Sequence, residues 1–228
     1  MDGILNVDKP SGLTSARAVG RVKLLLPPRI RAGHAGTLDP FATGVLLVLV
    51  GTATRSFDAL MGEPKTYEAV LQFGATTPTD DPDSAPTPTP GASPPPLSAV
   101  EQAVASFVGL IRQKPPAFSA LKIGGRRAYD LARRGKPVEL AEREVRIDRI
   151  ELLEYAWPTA SLRVQCGRGT YIRALARDLG AKLGVGAYLT ALRRTAIGPY
   201  STADSVTLQR LETEGVAAHL LRPQPTCR

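Results

Sequence analysis

Apolar and polar residues alternate along much of this chain with a period of two, the spacing of a half-buried strand. Tyr67, Ala69, Leu71 and Phe73 fall on one face of a strand predicted to open at Lys65. Val145 to Leu153 alternates over a longer run with one bulge. Leu162, Val164 and Cys166 alternate with Ser161, Arg163 and Gln165 in the next run, and Pro158-Thr159 between the two predicts an antiparallel pair. Cys166 then reads as a core thiol. Gly3 to Val7 predicts a short strand, and the unbroken apolar run Val45 to Val50, ending at Gly51, a buried one.

Helical spacing appears in three places. Val19, Val22 and Leu26 follow a cap at Thr14 or Ser15, and Pro27-Pro28 stops that helix. Ser98-Ala-Val-Glu101 has the form of a capping box, opening a helix that buries Val100, Val104 and Phe107 or Val108. Ile172, Leu175, Ala176, Leu179 and Leu183 form a third stripe, with Gly184 beyond it. Ala187 to Arg193 is expected as a short helix and Arg194 to Gly198 as a turn into a last short strand. Val206 to Leu221 is expected as a terminal helix or helix pair, and the residues from Pro223 as a tail. Residues 75–99 hold eight of the 20 prolines and predict a surface excursion with no core element.

The chain has 228 residues, 43% of them hydrophobic, enough for one large domain or two small ones. Its net charge is +8, and it is unevenly spread. Arg112 to Lys136 carries eight basic residues and one acid, Asp130, a local +7. Phe118 and Tyr129 are interleaved, Gly124-Gly125 supplies a hinge, and Pro115, Pro116 and Pro137 fence the segment. That pattern suits an arm gripping a phosphate backbone; the competing reading is a solvated helix face from Tyr129 to Arg134. Two cysteines and two histidines exclude a disulfide framework and make a metal centre improbable. The N-terminus lacks the pattern of a signal peptide, and no apolar stretch approaches a membrane span, so the expected setting is a reducing cytoplasm.

The candidate chemistry centres on Arg31 to Gly44, a Gly-punctuated loop with Asp39 directly before Pro40. Pro40 restricts Asp39 to extended or turn backbone. By itself an Asp-Pro pair is ordinary turn chemistry. Followed by a buried strand, it also presents one carboxylate at a rigid sheet edge. Tyr67 fits β-face packing, or a stacking platform for a base. Tyr171 and Arg173 stand at the mouth of the third helix, after a weak Gly-x-Gly phosphate signal. Lys9 and Arg17 are surface charges or phosphate contacts.

In chain order stand Gly3-Ile-Leu-Asn-Val-Asp-Lys-Pro-Ser-Gly-Leu-Thr-Ser15, His34-Ala-Gly-Thr-Leu-Asp-Pro-Phe-Ala-Thr-Gly44, Lys65-Thr-Tyr67 and Gly74-Ala-Thr-Thr-Pro-Thr-Asp80. Pro115-Pro-Ala-Phe-Ser-Ala-Leu-Lys122, Gly169-Thr-Tyr-Ile-Arg173 and Leu192-Arg-Arg-Thr-Ala-Ile-Gly198 complete the series. Together they resemble the TruB-type tRNA pseudouridine synthases. The resemblance implies an α+β pseudouridine synthase fold: a mixed, mostly antiparallel sheet with flanking helices and a basic thumb insertion, about 112–144. It implies a catalytic domain over 1–200, with a proline-rich surface excursion at 75–97, and a short helical extension and tail over 201–228. It also implies that the small C-terminal RNA-binding domain usual in bacterial members is missing, since about thirty residues follow Gly198.

By the same resemblance the substrate is the uridine at position 55 in the T loop of tRNA. The catalytic residues are Asp39, Tyr67 and Arg173. Asp39 is the nucleophile, ionised beside Arg173; attack at C1′, attack at C6 and assistance to loss of the base all remain open. Tyr67 stacks on the target base, with Tyr171 and Leu192 around it. His34 fills the space the flipped base vacates, Lys9 supports the site, and Lys122, Arg126 and Arg127 contact RNA. The isomerisation is redox-neutral, so no cofactor and no metal are expected. The protein is expected to act as a monomer. The competing class is an RNA-binding or tRNA-folding protein whose catalysis is secondary. A glycosidase is disfavoured, because that chemistry wants two acids flanking the bond.

Overall fold

The computed structural model describes residues 1–119, 140–222 and, between them, the backbone of two short strands. Two compact units emerge, Met1–Glu68 with Leu192–Arg228, and Ala69–Ala191. The division passes through two strands, β4 (Lys65–Phe73) and β12 (Ala187–Ile197).

In the first unit the sheet order is β14 (Val206–Thr207), β1 (Gly3–Lys9), β3 (Thr43–Val50), β12 and β4, with β2 (Ala32–Ala35) also on β3 and β13 (Tyr200–Ser201) on β12. β1 and β3 pair antiparallel from Gly3–Val50 to Lys9–Gly44. The two faces of β3 bury different cores, which is why its sequence is an unbroken apolar run. Leu46, Val48 and Val50 meet Val19 and Val22 of α1 (Ser15–Leu24) and Leu208 and Leu211 of the C-terminal segment. Val45, Leu47 and Leu49 meet Ile4, Leu60 of α2 (Phe57–Gly62), Ile197 and Tyr200. Thr14 caps α1 as expected, accepting from the Arg17 backbone N–H at 3.1 Å. Gly44, at φ 101°, lies where a Cβ would sit 2.2 Å from the Arg194 carbonyl oxygen, so only glycine lets β3 and β12 approach here.

In the second unit the order is β12, β4, β11 (Thr159–Cys166), β10 (Arg143–Ala156) and β7 (Gly109–Gln113). β10 and β11 form the expected antiparallel pair, with two register irregularities where one bulge was expected. Cys166 is buried, as read. Helices α3 (Leu97–Ala105) and α4 (Ile172–Lys182) flank this unit, α3 packing on β10 and on α4. Most described pairings are antiparallel; β1–β14 and β12–β3 are parallel. The fold is therefore the mixed, mostly antiparallel sheet with helices that was expected. No helix among the described residues is long and apolar enough to cross a membrane.

Four local expectations are corrected. Ala187–Ile197 is a strand and not a short helix followed by a turn. Tyr188, Leu189, Thr190 and Thr195 suit a strand, and sheet pairing on both sides outweighs the helix propensity of the alanines and arginines. The helix at Leu97 takes its cap from Pro96 without a side-chain bond, so Ser98 lies inside it; Pro96 fixes an extended backbone one residue before the helix. Val206–Leu221 divides into β14, helix α5 (Leu208–Glu214) and a 3-10 turn at Val216–His219, because Gly215 at φ 83° ends α5. Finally, Thr77, Asp80 and Asp81 are buried, although 75–97 was read as a surface excursion. Asp80 and Asp81 are ion-paired, as described next, and Thr77 Oγ1 donates to the Asp81 carbonyl at 2.9 Å.

Candidate active site

The turn that carries Asp39 is fastened almost atom by atom. Ser15 Oγ donates to the Leu38 carbonyl (2.9 Å) and accepts from the Leu38 N–H (2.8 Å). The Gly12 N–H (2.8 Å) and Lys9 Nζ (3.2 Å) both donate to the Pro40 carbonyl. Ser11 Oγ donates to Phe41 O at 2.9 Å. From β12, Arg194 donates to Gly36 O (3.0 Å), Thr37 O (3.4 Å) and Val45 O (2.8 Å), with 1% of its surface exposed. Asp39 itself is half-buried between Leu38 and Pro40. A carboxylate whose flanking peptides are tied this way is held in one place before any substrate arrives.

Lys9 is a strut of this turn. Fully buried, it spends its three N–H donors on the carbonyls of Pro10, Leu13 and Pro40. Burial pushes its pKa down to about 8, against the pull of the Asp39 charge and with a further push from Arg194. Lys9 thus feels Asp39 electrostatically. Between about pH 8 and the unfolded value of 10.5 the unfolded chain binds more protons at this group, so its contribution to stability rises with pH. The native protein should therefore gain stability relative to Lys9→Met between pH 7.5 and 10, read by urea unfolding at each pH. A gap that narrows with pH would contradict this.

A cavity of about 630 Å³ adjoins the strut, with Asp8, Lys9, Thr43, Arg193 and Glu212 in its wall. Arg193 donates to both Asp8 oxygens (3.1 and 2.8 Å), which holds its guanidinium more firmly protonated.

In the second unit, Tyr171 caps α4 and Arg173 is its second residue. Arg173 is 3% exposed. Its Nη1 donates to Asp81 Oδ2 (3.1 Å) and Thr79 O (2.9 Å), and its Nη2 to Phe118 O (2.9 Å). Asp81 also accepts from Thr79 Oγ1 (2.5 Å) and the Asp83 N–H (3.0 Å). One helical turn on, Arg177 donates to Asp80 Oδ2 (3.1 Å) and Lys114 O (2.8 Å). Burial pushes the Asp80 carboxyl up to about 6, against Arg177 and Arg173.

The structure therefore joins Lys9 to the Asp39 turn and sets Tyr171 beside Arg173. Tyr67 is buried in β4, Leu192 is buried in β12, and His34 is half-buried in β2 opposite Val48. The backbones of Lys122, Arg126 and Arg127 lie in an antiparallel pair of strands, β8 (Lys122–Ile123) and β9 (Arg126–Arg127). Their side chains, and most of the basic thumb, lie outside the described residues. Sequence reasoning missed Arg194, Ser15 and Asp81. Arg194 was legible: in a strand it shares a face with Leu192, but the segment was read as a turn. Among the described residues no group of three or more His, Cys, Asp or Glu could hold a metal ion.

The fold has a counterpart among solved structures. In a crystal structure of a Cbf5–Nop10–Gar1 complex, one chain superposes with a TM-score of 0.72 and 31% identity, over 95% of this chain and 57% of that one. This chain thus spans little more than half of that neighbour. The TruB family pseudouridylate synthase N-terminal domain matches residues 23–172, and the tRNA pseudouridylate synthase B C-terminal domain matches residues 173–223. The second match begins in α4. A tRNA pseudouridine synthase B of Anaplasma phagocytophilum is 47% identical over 92% of this chain and 70% of its own length. One of Thermobifida fusca is 47% identical over 93% and 75%. The chain belongs to the TruB family of pseudouridylate synthases.

Proposed function

We propose that this protein isomerises uridine to pseudouridine at position 55 in the T loop of tRNA. The observation that carries the reading is the Asp39 turn, in which Ser15, Lys9 and Arg194 fix the peptides on both sides of one carboxylate. The relatives' designation as tRNA pseudouridine synthases supports it. In the reaction the N1–C1′ bond breaks, C5 bonds to C1′, the C5 proton leaves and N1 gains one. Nothing is oxidised or reduced. Asp39 supplies the nucleophile, and Arg173, which is paired with the Asp81 carboxylate, contributes positive charge. The target base must leave its stack to be reached, at a cost of a few kcal/mol. Tyr67, Tyr171 and Leu192 receive it, and His34 fills the gap. The +7 segment grips the T arm through its phosphates. We read the protein as a cytoplasmic monomer.

The test is tritium release from a tRNA transcript labelled at uridine C5. One equivalent should be released per tRNA, and none at all when the uridine at position 55 is replaced by cytidine. Binding without release would leave an RNA-binding protein; full release from the cytidine-55 transcript would place the target elsewhere.

A further inference from the structure

We propose that Gln113 and Arg143 are positioning residues that together mount Tyr171. They are the last residue of β7 and the first of β10, and they face each other in register. In sequence they enclose seven of the eight basic residues of the segment Arg112–Lys136. Gln113 is 0% exposed and grips the Tyr171 peptide from both sides: its Nε2 donates to Tyr171 O (3.0 Å) and its Oε1 accepts from the Tyr171 N–H (2.8 Å). A buried amide carboxamide can do this with one donor and one acceptor in a single plane, and it leaves the Tyr171 backbone no freedom to turn.

Arg143 holds the ring. Its guanidinium carbon lies 4.8 Å from the Tyr171 ring centroid, and its Nη2 donates to the Gly169 carbonyl. Its Nε has no hydrogen-bond partner among the described residues, so ring and carbonyl fix the group's position. Gly169, at φ 90°, would carry a Cβ 3.5 Å from that same Nη2. A cation over an aromatic face favours one ring position over its rotamers. Backbone and ring of Tyr171 are thus set by different residues from adjacent strands. No motif in the sequence marks either as part of the site.

The consequence for catalysis rests on the proposed role of Tyr171 in receiving the target base. A pocket wall displaced by an ångström costs about a hundredfold in rate. Arg143→Met, which keeps most of the side chain's volume, should lower the single-turnover rate roughly ten- to a hundredfold while tRNA affinity changes less than about twofold. In a Tyr171→Leu background the same substitution should cost almost nothing further, because there is no ring left to hold. Penalties that multiply, or weakened tRNA binding with an unchanged saturating rate, would overturn the proposal and make Arg143 an RNA contact. Gln113→Met should also slow turnover; since Gln113 is buried, its melting is followed in parallel. A separate readout does not depend on activity. In protein carrying 3-fluorotyrosine, the Tyr171 fluorine signal, assigned by its loss in Tyr171→Phe, should shift and broaden in Arg143→Met. If the native protein isomerises no uridine, the proposed function fails, and an unchanged fluorine signal would separately refute the mount.

Discussion

Asp39→Asn should abolish tritium release, by about 10⁴-fold or more, the scale on which loss of a catalytic nucleophile is felt. The substitution changes little else. Asparagine serves at turns and before proline as aspartate does. The anchors of the turn are mostly main-chain groups, at Gly36, Thr37, Leu38, Pro40 and Phe41, reached from Arg194, Ser15, Lys9, Gly12 and Ser11. The fold should therefore survive. Binding of tRNA should persist or tighten slightly, since a negative charge is removed near a polyanion. One secondary effect follows from Lys9. The Asp39 charge now opposes the fall in its pKa, so in the variant Lys9 should titrate lower still. Single-turnover release and filter binding on the same preparations decide the matter. Release at more than about a hundredth of the native rate, on a scale where lost nucleophiles cost far more, would remove Asp39 from the role of nucleophile.

The sequence carried the strands whose faces differ and the helices whose stripes are clean. β4 alternates without interruption because one face is core and the other is not, and α1 announces its cap and its proline stop. β12 was misread because it buries an arginine. Arg194 in a core-facing register looks polar, yet its donors are spent on the carbonyls of the Asp39 turn. The region 77–84 was misread for a related reason. Proline, threonine and aspartate compose a solvated loop unless a cation is delivered to them from elsewhere, and here Arg173 and Arg177 are delivered by α4, more than ninety residues away. Motif order pointed to Asp39, Tyr67 and Arg173. What fixes such residues in place, Ser15, Arg194, Gln113, Arg143 and Asp81, is written in long-range contacts that no local pattern displays.

Asp81→Asn should cost both stability and turnover. The carboxylate is almost wholly buried and shares an ion pair with Arg173, which is 3% exposed. Breaking such a pair from one side costs about 3–5 kcal/mol, because the remaining charge stays in a poorly solvated place. The asparagine can still accept from the Thr79 hydroxyl and the Asp83 N–H through its carbonyl oxygen. Its amide group would then face the Arg173 Nη1, donor against donor. Relief requires either the arginine to move or the turn to open, and both displace Arg173 from Thr79 O and Phe118 O. A loss near the lower bound corresponds to a melting temperature lower by roughly 6–12 °C at this chain length. Turnover measured well below that melting point should still fall, by about a hundredfold if Arg173 shifts by an ångström. Asp81→Glu is the control. It restores the charge with one extra methylene, so it should recover stability more fully than rate. A variant with native melting and native turnover would show that the pair neither holds this unit together nor sets Arg173. Lowered melting with native turnover would keep Asp81 as a structural partner and remove it from the chemistry.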